Sequence, residues 1–226
     1  YRQAVRINPE HAEVWYNQGI AYEKLNRSQD AIDAYRQALR IDPKHVSAWE
    51  GLGAAYRGLN RYTDAIDAYR QALRIDPKDA SAWEGLGIAY HGLNRYTDAI
   101  DAFRQAVRVD PDYADAWYSL GVSYGVLNRH QDAIEVYRQA VRIDPKHTQS
   151  WHNLGVSYSK LHRIHDAIEA FRQAVRIAPK NSRGWQALGV AYLLSGNRTA
   201  ALEVVKELRR LDPEAADKLF NMIVPR

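Results

Sequence analysis

The 226-residue chain is 26% charged and 46% hydrophobic with a net charge of +4, which argues against disorder and against membrane spanning. Cysteine is absent, so disulfides, thiol catalysis and cysteine-ligated metal are excluded. The mild positive charge permits an anionic partner without demanding one.

Tyr1 opens YRQAVRINP, which matches YRQALRIDP at Tyr35 and Tyr69, so the sequence is expected to start inside a repeated unit, with a longer parent or a disordered leading part before it. Pro9, Pro43, Pro77, Pro111, Pro145, Pro179 and Pro213 follow one another at intervals of 34, and Trp15, Trp49, Trp83, Trp117, Trp151 and Trp185 keep the same period. A strict period of this length means stacked repeats and not one closed core. Within the second unit Trp49, Leu52, Gly53 and Tyr56 fall on one helical face, and Ala65, Ile66, Tyr69, Ala72 and Leu73 on another. Asn60 stands between the two as a left-handed C-cap, with Asn26, Asn94 and Asn128 equivalent. Asp-Pro then closes the unit, because the residue before proline avoids helical geometry. Each repeat is predicted to be a helical hairpin. After Pro213 a last helix places Ala216, Leu219, Phe220 and Ile223 on one face, as a cap for the final hairpin. The closing VPR reads either as a protease-site scar or as a native tail.

The series Trp49, Leu52-Gly53, Tyr56, Ala65, Tyr69, Ala72, Pro77, repeated from Trp83 to Pro111, resembles the tetratricopeptide repeat family. Departures are few: Gln18 stands for a leucine, and Val205 and Leu208 replace an aromatic residue and an alanine. The resemblance implies an all-α, right-handed superhelical solenoid of antiparallel helix pairs with a 34-residue repeat. The expected organisation is a single domain over 1–226. It comprises a truncated repeat's second helix at 1–11, repeats at 12–45, 46–79, 80–113, 114–147, 148–181 and 182–215, and a capping helix at 214–224.

The same resemblance implies a non-enzymatic scaffold that holds a protein or peptide in a groove lined by the first helices. The groove candidates are Glu13, Tyr16, Asn17 and Ile20, then Glu50, Gly51, Ala54 and Arg57, then Glu84, Gly85, Ile88 and His91. Asp115, Tyr118 and Val122, then His152, Asn153 and Val156, and finally Arg183 and Gln186 complete the set. The family's lysine–asparagine pair for acidic C-termini is not found in any repeat, and its asparagine ladder survives only as Asn17 and Asn153. What is left is an aliphatic floor (Ile20, Ala54, Ile88, Val122, Val156, Val190) with an early acidic wall of Glu13, Glu50, Glu84 and Asp115. That suits a peptide or helix with apolar anchors and some basic residues.

Other chemistry finds little support. Trp49–Tyr62, WEGLGAAYRGLNRY, returns as WEGLGIAYHGLNRY, but its glycines lie mid-helix, and Tyr56 and Tyr90 occupy the place a phosphate loop gives to glycine. Gly51, Gly58, Gly85 and Gly92 lie outside the family signature. They mark either a bare patch for a ligand or a recent duplication, and alanine at all four is expected to stabilise the fold. His162, His165 and Asp166 lack metal-site spacing, and no catalytic triad or cofactor motif is identifiable; no cofactor is expected. Arg36 and Arg40, Arg70 and Arg74, Arg104 and Arg108, Arg138 and Arg142, Arg172 and Arg176 form an outer arginine ladder. Binding of RNA or an anionic surface through this ladder is one alternative function, which the acids among the arginines disfavour. Self-assembly through Tyr1, Ala4 and Val5 at an uncapped first edge is an alternative. No membrane insertion is expected; with no leader or apolar span, the cytoplasm is favoured for a compartment the sequence does not specify.

Overall fold

The computed structural model describes residues 11–224; the segment expected to open with a second helix, its edge residues Tyr1, Ala4 and Val5, and the end of the tail lie outside them. The described residues hold thirteen helices and no strand. They divide into two compact units that part between Asp112 and Tyr113. The first unit contains α1 (Ala12–Lys24), α2 (Ser28–Ile41), α3 (Val46–Gly58), α4 (Tyr62–Ile75), α5 (Ala80–Gly92) and α6 (Tyr96–Val109). The second contains α7 (Ala114–Val126), α8 (His130–Ile143), α9 (Thr148–Lys160), α10 (Ile164–Ile177), α11 (Ser182–Leu194), α12 (Arg198–Leu211) and α13 (Pro213–Ile223).

Local chemistry ends each helix where the next must begin. Asn26, Asn60, Asn94 and Asn128 take φ of 54–58°, closing the first helices through left-handed backbone. Around Asn60 the Arg61 amide reaches back to the Tyr56 carbonyl at 2.9 Å, the long bond of a Schellman ending. His162 holds the same conformation with φ 57°, although histidine tolerates it less well than asparagine or glycine. At the other joint the Asp42 carboxylate accepts from the Lys44 amide at 2.9 Å, and Asp76 and Asp144 repeat the turn. The indole of Trp49 donates to the Pro43 carbonyl at 2.9 Å; Trp83, Trp151 and Trp185 do the same to Pro77, Pro145 and Pro179. Tryptophan and proline share one period because one is hydrogen-bonded to the other.

Packing follows the two predicted faces. In α4 the stripe Ala65, Ile66, Ala68, Tyr69, Ala72 and Leu73 is buried, and α2, α6, α8 and α10 bury the equivalent stripe. In the first unit α1 touches α3 and α3 touches α5; in the second α7 touches α9 and α9 touches α11. Among the described residues no second helix meets the second helix of the next repeat within its unit. First helices are therefore the crowded side, and each unit curves with them on its inner face. The last helix, α13, packs on both α11 and α12, burying Ala215, Ala216, Leu219 and Ile223. Phe220, expected on that buried face, is instead exposed, and Ala215 is buried: the face that meets both α11 and α12 is the i, i+4, i+8 row Ala215, Leu219, Ile223 with Ala216.

Candidate partner-binding face

The candidate residues lie along the first helices, and only Gly85 among them is buried. In the first unit the inner face is a network of acids and tyrosines. The Tyr35 hydroxyl comes across from α2 and donates to Glu23 at 2.7 Å. Burial raises the Glu23 carboxyl above its usual range, while that donor and nearby Arg57 pull it back. Burial also pushes Tyr69 up to about 12, with Arg57 opposing and Glu50, Glu84 and Glu23 adding to the rise. Glu50 is half-buried. Its carboxyl is raised first by burial and next by the Asp79 carboxylate, against a hydrogen bond from Ser81. His91 stacks edge-on against Tyr96 at 5.0 Å, and burial pushes its pKa down.

At Glu13 and Asp115 the expected acidic wall stays exposed, with a histidine beside each carboxylate. Glu13 lies 3.2 Å from Nε2 of His45, whose Nδ1 accepts from the Ala48 amide and caps α3. Asp115 and His147 repeat the arrangement at 3.0 Å, with His147 capping α9. Tyr16 and Tyr118 stack on these histidines at 4.9 and 5.0 Å. The asparagines are also engaged: Asn17 with the Glu13 carbonyl at 2.9 Å, and Asn153 with the Tyr137 hydroxyl at 3.4 Å.

The second unit differs in charge. A cavity of about 390 Å³ opens between α9 and α11, floored by Val156, Phe171, Val190, Ala191 and Leu194. His152, Lys160 and Arg183 edge it. Neither α9 nor α11 contains an acidic residue. His152 lies against the Phe171 ring at 5.5 Å with its Nδ1 buried and unpartnered. Burial, and then the charge of Arg183, push its pKa down.

The opposite face carries the arginines. Arg36 and Arg70 donate to the hydroxyls of Tyr56 and Tyr90 in the following repeat at 2.6 and 2.7 Å. Arg61 and Arg95 lie over the same two rings at 4.6 and 4.7 Å, a cation–π contact worth about 0.5–1 kcal/mol at such sites. The outer cavities pair each arginine set with acids: Arg36 and Arg40 face Asp64 and Asp67, and Arg70 and Arg74 face Asp98 and Asp101. Arg36 and Arg70 thus join one repeat to the next. Among the described residues no group of three or more histidines and acids is placed to hold a metal ion, and no helix is long and apolar enough to cross a membrane.

Sequence profiles of the tetratricopeptide repeat match residues 1–46, 16–80, 51–108 and 84–148, and a further one matches 148–181. The chain belongs to the tetratricopeptide repeat family. Curated protein sequences give no significant match. Among solved structures, MamA is similar to this tetratricopeptide repeat chain at 27% identity and TM-score 0.66, over 76% of this chain and 94% of its own. PilF of Pseudomonas aeruginosa reaches TM-score 0.78 at 18% identity, over 92% and 96%. YrrB, described as a TPR protein with an unusual peptide-binding site, reaches 0.70 at 22%, over 84% and 99%.

The geometry corrects the reading of the unusual glycines. A Cβ on Gly85 would lie 2.4 Å from Cε1 of Tyr69, and one on Gly51 would lie 2.6 Å from Cζ of Tyr35. At Gly92 the Tyr62 ring stands 2.5 Å away. The space beside these three is filled by aromatic rings, so they are neither a bare ligand patch nor places where alanine stabilises. Gly58 alone has room, with Ser28 Oγ at 3.5 Å. The residues of this face that the sequence reading missed are Tyr35, Tyr69 and Tyr137 of the second helices, and His45, His147 and Asp79 at the caps. One signal was available: Tyr35, Tyr69 and Tyr137 are followed sixteen residues on by Gly51, Gly85 and Asn153, whereas Phe171 is followed by Ala187.

Proposed function

We propose that the chain is a non-enzymatic interaction scaffold that holds a partner polypeptide against the inner face of its first helices. Proteins of this family are in general protein–protein interaction scaffolds. The observation that carries the reading for this chain is the state of the inner face. It is reachable, floored by aliphatic side chains, and carries acids from α1, α3 and α5, with Glu50 half-buried beside Asp79. A cationic side chain from a partner placed beside Glu50 would favour its charged form. Extended peptides and amphipathic helices are the segments such a face can take. Arg36, Arg40, Arg70 and Arg74 share cavities with acids, and Arg36 and Arg70 are bonded to tyrosine, which supports a joint between repeats more than a phosphate-binding stripe.

The test is charge reversal at the half-buried position and its neighbour. Glu50→Lys combined with Glu84→Lys should weaken the partner, measured by fluorescence anisotropy with the labelled polypeptide, by about tenfold or more. Arg40→Glu with Arg74→Glu on the outer face should leave affinity unchanged. Equal affinity for wild type and the inner-face variant would remove the charge complementarity, and loss confined to the outer-face variant would place binding on the other side.

A further inference from the structure

The cavity between α9 and α11 differs chemically from the rest of the inner face. Its two walls hold a lysine, an arginine and a histidine but no acid, whereas α1, α3, α5 and α7 each contain at least one. Among the described residues neither Lys160 nor Arg183 has an ion-pair partner. Arg183 lies in the first turn of α11, and Lys160 ends α9 at the level of Leu194, its equivalent in the next repeat. Between the two cations lies the apolar floor of Val156, Val190 and Leu194, of which Leu194 is 62% exposed.

Eleven helical residues separate Arg183 from the level of Leu194, about 16 Å at ~1.5 Å per residue. An extended chain at ~3.3 Å per residue covers most of that distance in about five residues, and the side chains reach the remainder. Residues one, three and five of such a segment point to the same side. The geometry points to a pocket for an extended peptide segment that carries acidic side chains at its first and fifth positions and an aliphatic side chain at its third. The carboxylates meet Arg183 and Lys160, and the aliphatic group covers Val156 and Val190. His152 supports the assignment. It lines the same cavity and makes no hydrogen bond among the described residues, so its ring is not committed to another partner. The inference rests on the proposed use of the inner face and adds the chemistry of the occupant at this end.

Amide chemical-shift titration of the whole chain with a capped Glu-Ala-Leu-Ala-Glu peptide tests it. Shifts are expected at Val156, Arg183, Val190 and Leu194. Binding should weaken about tenfold with Gln-Ala-Leu-Ala-Gln, and similarly when Lys160→Glu and Arg183→Glu are combined, the scale of two exposed ion pairs lost. Equal response to the acidic peptide and its glutamine counterpart overturns the inference, as does the absence of shifts on α9 and α11. A Lys-Ala-Leu-Ala-Lys peptide separates the two levels. If it moves α3 and α5 while the acidic peptide moves nothing on α9 and α11, the inner-face reading stands and the acidic occupant falls. If no peptide moves any inner-face residue, both fall.

Discussion

Tyr69→Ala is expected to destabilise the first unit by about 3–5 kcal/mol, the usual cost of truncating a buried aromatic side chain. Tyr69 is 3% exposed and fills the space between two glycines: Gly53 of its own repeat, where a Cβ would lie 2.9 Å from the ring, and Gly85 of the next. Its loss removes packing within one hairpin and across one joint together. In a stack where each repeat contacts only its neighbours, losing a joint also weakens the coupling between them. Urea unfolding of wild type and variant gives the number. A cost below about 1 kcal/mol would mean that the ring is not the packing element described here.

Gly85→Ala is expected to cost about 1–3 kcal/mol, although alanine favours helix, because the new methyl group overlaps the Tyr69 ring. Gly58→Ala, at a helical glycine where a Cβ would make only an ordinary contact with Ser28 Oγ at 3.5 Å, should gain about 0.5–1 kcal/mol instead. The contrast separates propensity from packing at two glycines of one chain. A double-mutant cycle sharpens it: with Tyr69→Ala already in place, Gly85→Ala should lose its penalty and become neutral or stabilising. If Gly85→Ala stabilises the wild type as Gly58→Ala does, the ring does not need that space.

The repeat architecture could be read from sequence because its determinants are local. The proline and tryptophan periods, the helical spacing of Leu52, Gly53 and Tyr56, and Asn60 at the helix end each act within a few residues. The hairpins and the four left-handed asparagines followed from that. What escaped depends on groups from different helices or different repeats. Glu13 looks like a free surface acid until His45, thirty-two residues on, is brought to 3.2 Å. Gly85 looks like a weak point in a helix until Tyr69 arrives from the helix before it. The inner face was legible as a set of positions from the family resemblance, but its charge states were not. Burial of Glu50 beside Asp79, and the acid-free walls around His152, are products of stacking.

The most direct measurement places a photo-crosslinking side chain at Ile88 and Val156 on the inner face, and at Gln71 and Gln173 in the outer cavities. The account predicts adducts with a polypeptide partner from Ile88 and Val156 and none from the outer pair. Adducts from Gln71 and Gln173 alone would contradict it.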